Sequence, residues 1–143
     1  MRTPQRRAVR SLEPMARAYA KLADAARRMS AMPSRIVHAM QTRPFLVGGT
    51  DRFDSALIEA TKGKVIAKIG AEGVHSVAIV DEGIGITIKV EDGAQRAQFP
   101  AVIRALQHYN FLPRDLPPRL FEFMHRPLRN TRGEVVGEVR PVV

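Results

Sequence analysis

The stretch Gly63-Lys64-Val65-Ile66-Ala67-Lys68-Ile69-Gly70-Ala71-Glu72-Gly73-Val74 leaves the chain few ways to fold at its centre. Val65, Ile66 and Ile69 favour a half-buried pleated surface, and Gly70 and Gly73 allow close backbone approach or positive φ where bulkier residues resist. The run predicts a strand over 65–69 that holds its cargo rigidly beside a groove. That cargo is Lys68, an ammonium within a mostly apolar strand, which is snorkelling, ion-paired or held for proton transfer.

The period stays strand-like over 74–80 and 84–90, with glycine-bearing turns at 70–73 and 81–83. Connections this short predict an antiparallel meander. Before it, Met15, Ala18, Tyr19, Leu22, Ala25 and Ala26 recur at helical spacing over 13–29, and Ile36, Val37 and Met40 mark a shorter helix that stops near Arg43 because Pro44 follows. Residues 44–51 read as a loop into a third helix carrying Phe53, Ala56, Leu57 and Ala60, with Thr50 or Asp51 as its cap. The same glycine-to-helix geometry is also a possible seat for a carboxylate or phosphate, although Gly48-Gly49-Thr50 lacks P-loop spacing.

After the meander, Phe99, Val102, Ile103, Leu106 and Tyr109 form the core stripe of a helix over 94–109, which Asn110 stops. Pro100 falls inside it, so the regular part is expected to begin there. A proline-rich connection and a short helix with Leu120, Phe121 and Met124 follow, and 133–141 alternates as a tail strand. The fold class is α/β in the α+β sense: a small antiparallel sheet of three consecutive strands plus a tail strand, packed with helices. His38 and His75 are each isolated from a second histidine at ligand spacing, so both read as surface, structural or substrate-neighbouring groups, and no metal site is expected.

The 143 residues suit one domain, and no apolar run reaches the length of a membrane-spanning helix. Zero cysteines exclude disulfides and fit a reducing cytoplasm, the expected location. The net charge of +9 is unevenly placed: Arg2, Arg6, Arg7 and Arg10 precede the first acid, Glu13. Residues 1–12 are expected to be a basic, flexible end ahead of a domain over 13–143. No nucleic-acid recognition motif accompanies these arginines, so nucleic acid is not the expected partner, nor is a membrane.

Several stretches resemble the carboxy-terminal part of the L-asparaginase II family, related to the thermolabile Rhizobium-type asparaginase. They are Ala18-Tyr19-Ala20-Lys21-Leu22-Ala23, Phe45-Leu46-Val47-Gly48-Gly49-Thr50-Asp51-Arg52-Phe53-Asp54, Ala67-Lys68-Ile69-Gly70-Ala71-Glu72-Gly73-Val74, Gly85-Ile86-Thr87-Ile88-Lys89-Val90-Glu91-Asp92-Gly93-Ala94 and Gly133-Glu134-Val135-Val136-Gly137-Glu138-Val139-Arg140. The resemblance implies a fold like that of serine β-lactamases and glutaminases, and the hydrolysis of L-asparagine or a related amide without a cofactor. Lys68-Ile69-Gly70 matches that fold's Lys-x-Gly strand. The implied catalytic residue is Lys68, which orients or deprotonates a serine or binds the substrate carboxylate. Gly70, Glu72 and Gly73, with Gly49, Thr50 and Asp51, are the implied substrate-binding residues.

The resemblance also implies a serine of a Ser-x-x-Lys motif, a second catalytic serine and zinc ligands in an amino-terminal half to which no stretch here corresponds. None of Ser11, Ser30, Ser34, Ser55 and Ser76 has lysine three positions on. Thr61 and Lys64 share that spacing across a helix-to-strand boundary, where coincidence is the better account. The chain is therefore expected to act with an amino-terminal partner chain, to self-associate, or to be marginally stable. Two alternatives stand beside the hydrolase: a non-catalytic amino-acid-binding or regulatory domain, and a basic polyanion-binding protein.

Overall fold

The structure is a computed structural model that describes residues 11–142, so the arginine-rich segment 1–10 lies outside the described residues. Strands β1 (Val65–Ile69), β2 (Val74–Ile79) and β3 (Ile84–Lys89) form the antiparallel meander in the order β1-β2-β3. Side chains alternate across a pleated sheet, so Ile66, Ala78 and Val80 face one way while Val65, Ala67, Val77 and Ile79 face the other. The two sets belong to separate core clusters, so β2 and the first part of β1 are buried on both faces, whereas β3 is only partly covered.

Helices α1 (Leu12–Arg27) and α2 (Ala31–Thr42) cover the first face, with Tyr19, Leu22, Ala23 and Ala26 meeting Val37 and Met40 over Ile66 and Ala78. Contact between α1 and β3 is backbone-close: a Cβ at Gly85 would fall 2.0 Å from the Ala16 carbonyl oxygen. Only glycine on the strand and alanines on the helix permit this approach. A short α3 (Pro44–Gly48) then leads to α4 (Phe53–Ala60), which covers the second face together with α5 (Gln95–His108) and α6 (Pro118–Met124). Phe53, Leu57, Phe99, Ile103, Leu106 and Leu120 fill that core, each large apolar side chain contributing about 1.5–3 kcal/mol by its burial.

Four local expectations are corrected. Residues 44–48 are helical rather than loop, because Pro44 supplies a preset φ at the first helical position. Neither Thr50 nor Asp51 caps α4: Arg52 is its N-cap residue without a side-chain cap bond, and Asp51 sits in a left-handed turn at φ 52°. Helix α5 begins at Gln95, not at Pro100, whose ring is buried one turn in. The tail strand β5 (Val135–Val139) pairs with a strand the pattern hides, β4 (Arg126–Arg129), in a separate two-stranded sheet with an irregularity at Leu128 and Arg129. Asn110 does end α5, in left-handed conformation at φ 61°. Among the described residues no helix is long and apolar enough to cross a membrane.

Candidate functional site

As the first strand of the sheet, β1 has an outer edge whose backbone N–H groups need partners other than a strand. The segment of α4 and its C-cap provides them. The Val65 N–H donates to Thr61 Oγ1 at 3.3 Å, and the Ile69 N–H donates to Asp54 Oδ2 at 2.9 Å. Asp54 is 2% exposed, and such a carboxylate is held inside only by compensating partners. Besides the Ile69 amide they are the Lys68 ammonium, 3.8 Å from Oδ2, and His75 Nε2, 3.0 Å from Oδ1.

His75 is fully buried, edge-on to the rings of Phe53 and Phe99. Its approach to Asp54 is close but off-axis: among the described residues neither Nε2 nor Oδ1 forms an aligned hydrogen bond, and Nδ1 has no partner. The contact is electrostatic rather than directional. Burial is the largest influence on Asp54 and alone would raise its pKa. The His75 contact, the Ile69 N–H and the Lys68 charge together outweigh it and hold the carboxyl below its ordinary value. From the opposite face of the sheet, Tyr19 feels the same charge: burial first, then the Asp54 carboxylate, raises its phenol pKa, so the group stays a neutral hydroxyl.

Register puts Lys68 opposite Ser76, on the face covered by α1, yet its Nζ comes to the strand edge where Asp54 sits. There it lines a pocket of about 180 Å³ whose other walls include Gly48, Asp51, Phe99, Phe123 and Arg126. This is smaller than the roughly 300–1,000 Å³ typical of drug-sized sites and suits a ligand of amino-acid dimensions. The Lys68 side chain is 47% exposed, so its charge is available to a ligand while Asp54 lies beneath it.

The other implied substrate-binding residues divide. Asp51 lines the pocket, but its carboxylate is engaged by Arg119 at 3.1 Å. Gly49, at φ 101°, accepts a hydrogen bond from Ser55 Oγ, and neighbouring Gly48 rather than Gly49 or Thr50 forms the wall. Gly70, Glu72 and Gly73 belong to the β1–β2 turn and are not among the lining residues of this pocket: the Gly70 N–H donates to the Val74 carbonyl, and the Gly73 carbonyl accepts from the Val90 N–H. At Gly73, φ is 70° and a Cβ would lie 3.0 Å from Gly93 backbone, so the turn needs glycine for its own packing.

Sequence reasoning missed Asp54 and Arg126 and treated His75 as an isolated histidine. One signal for Asp54 was present: it stands among Phe53, Ala56, Leu57 and Ile58, apolar on every side of a short helix, so burial was forced on it. None of the described lining residues carries a hydroxyl or thiol. The nearest serine in sequence, Ser55, donates to the Pro44 and Gly49 carbonyls, and Ser76 is hydrogen-bonded with Thr87.

These features define a helix-covered antiparallel sheet with a small charged pocket at its edge, built on a lysine over a buried carboxylate. Residues 7–141 match the family model for L-asparaginase II, and the chain belongs to that family. A search of curated proteins returns no match.

Proposed function

We propose that the chain supplies the lysine side of an amide-hydrolysing site that converts L-asparagine to L-aspartate and ammonia once a nucleophile-bearing partner closes on the Lys68 pocket. The observation that carries the reading is the exposed Lys68 ammonium held at the mouth of an amino-acid-sized pocket by an ionised, buried Asp54. When a nucleophile adds to the side-chain amide, the carbonyl oxygen gains negative charge, and a fixed cation beside it lowers the barrier. Collapse of the adduct breaks the C–N bond, the nitrogen leaves as ammonia with a proton, and water releases aspartate. The reading takes the Lys68-Ile69-Gly70 strand as the counterpart of the β-lactamase-like Lys-x-Gly strand and the protein as cytoplasmic.

One observation favours a second reading, a non-catalytic amino-acid-binding domain: the described pocket residues offer no hydroxyl or thiol nucleophile. Ammonia release from L-asparagine separates the two, measured with the chain alone and mixed with the amino-terminal half of a longer family member. Release that needs the partner and falls roughly 10²–10³-fold in Lys68→Ala supports the hydrolase. Asparagine binding without release in any mixture supports the binding domain. Neither binding nor release refutes both.

A further inference from the structure

The charges lining the Lys68 pocket do not cancel. Its walls carry the carboxylates of Asp51 and Asp54 and the cations of Arg52, Lys68 and Arg126. Both carboxylates are already committed. Asp51 pairs with Arg119, which lies outside the walls and also binds Glu59 at 3.0 Å. Asp54 is divided between the Ile69 amide, His75 and Lys68. Arg126 is different: among the described residues no carboxylate or carbonyl pairs with it, and its guanidinium carbon stands 5.8 Å from the centre of the Phe99 ring.

Three features hold Arg126 in that posture. Its backbone is paired with Val139 in the β4–β5 hairpin. The following residue is Pro127, whose ring confines Arg126 to extended conformations. The Phe99 face attracts the guanidinium while leaving N–H groups free for a second partner, and the ring is itself fixed by stacking on Phe53 at 4.6 Å. A guanidinium with free, parallel N–H groups matches a carboxylate in bidentate fashion, which an ammonium does not. Arg52 also faces the pocket, but among the described residues no acidic group pairs with it and no ring or ion pair braces its side chain.

Building on the amide-site reading, we propose that Arg126 receives the α-carboxylate of the amino-acid amide and thereby sets the specificity of the pocket for substrates with a free α-carboxylate. Lys68 is then left for the amide end. The pocket distinguishes an amino acid from the same side-chain amide whose α-carboxyl is blocked.

The test is calorimetric titration of the full chain with L-asparagine and with L-asparaginamide, which carries an uncharged amide in place of the α-carboxylate. Wild-type protein is expected to bind asparagine at least roughly tenfold more tightly. Arg126→Gln is expected to weaken asparagine by about 10–100-fold, the range for losing charge-assisted hydrogen bonds, and to leave asparaginamide unchanged. Arg126→Lys restores charge without the fork and falls between, and Arg132→Gln, exposed on the same hairpin but outside the pocket walls, keeps the discrimination. Because Arg126 is exposed on the hairpin, an unchanged circular dichroism melt verifies that each variant is folded. If Arg126→Gln still prefers asparagine as wild type does, or weakens both ligands equally, the assignment of Arg126 is overturned while the amide pocket stands. If wild type binds neither ligand at millimolar concentration, alone or mixed with the amino-terminal half of a longer family member, the amide-pocket reading fails and takes this one with it.

Discussion

Replacing Asp54 tests the fold and the site together, because one carboxylate serves both. Asp54→Ala removes the acceptor of the Ile69 N–H and strands His75 in an apolar box, so it breaks a buried charge arrangement at a cost of about 3–5 kcal/mol. Against a total stability on the order of 5–15 kcal/mol, that leaves the variant close to unfolding. Asp54→Asn is nearly isosteric and keeps an oxygen for Ile69, so it forfeits only the charge, about 1–2 kcal/mol. Urea unfolding should therefore rank wild type above Asn above Ala. The acid limb gives an independent check. The folded pKa of Asp54 is depressed, so between the folded and unfolded values the unfolded chain binds the proton and the folded chain does not; stability rises with pH there. The contribution is complete above the ordinary carboxylate value and is lost as pH falls through the folded one, with a slope of up to about 1.4 kcal/mol per pH unit for one proton. Asp24 and Asp92 are lowered as well, by the Arg27 hydrogen bond and the Ala94 N–H respectively, so the informative quantity is wild type minus Asp54→Asn. Equal midpoints and identical acid limbs for those two proteins would refute the view that an ionised Asp54 holds the strand edge.

Two further substitutions probe the scaffold. Gly85→Ala places a methyl 2.0 Å from the Ala16 carbonyl oxygen and 2.6 Å from the Ala20 nitrogen, both backbone, so α1 must move; a loss of about 1–3 kcal/mol or more is expected in chemical denaturation, and an unchanged midpoint would show that α1 does not press on β3 there. Ser55→Ala leaves the Pro44 and Gly49 carbonyls without their hydroxyl donor and should cost about 1–2 kcal/mol in the same assay, while ammonia release by the reconstituted mixture stays at the wild-type rate; loss of release in a folded variant would make Ser55 the nucleophile after all.

The meander was legible because its signals are local. Val65, Ile66 and Ile69 between glycines announce β1, and short glycine turns leave antiparallel pairing as the one geometry that fits. Helix α3 was missed because its five residues carry no period long enough to read, and β4 because Arg-Pro-Leu-Arg has the composition of a linker; it becomes a strand only through pairing with β5. The site follows the same division. Lys68 stands out as a charge within an apolar strand. Asp54, fifteen residues before the Ile69 amide that donates to it, reads as a first-turn acid of a helix, and nothing in its sequence neighbourhood points to the strand edge it serves. Arg126 belongs to a segment whose structure is itself non-local, so its place beside Phe99 could not be read ahead of the hairpin that puts it there.

The contacts that close the edge of β1 also decide what the pocket can be. An uncovered edge strand invites pairing with another chain, and here Thr61 and Asp54 occupy two of its outward amides. Asp54 answers that structural demand with a full negative charge, which a serine or asparagine would not bring, and the charge then requires a cation within reach. Lys68 is that cation, one residue from the amide Asp54 binds and still open to solvent on its other side. A strand edge sealed by a carboxylate thus presents an oriented ammonium at the surface. Across the pocket, α6 is drawn against α4 by Arg119 between Asp51 and Glu59, which brings Phe123 and the start of the hairpin to the opposite wall. Two of the three cations in the walls of this small cavity then have independent supports, Lys68 through the sheet edge and Arg126 through the hairpin. Loss of Asp54 should consequently disturb the Lys68 wall and leave the Arg126 wall in place, so Asp54→Asn weakens asparagine and asparaginamide by a similar factor, whereas Arg126→Gln weakens asparagine alone.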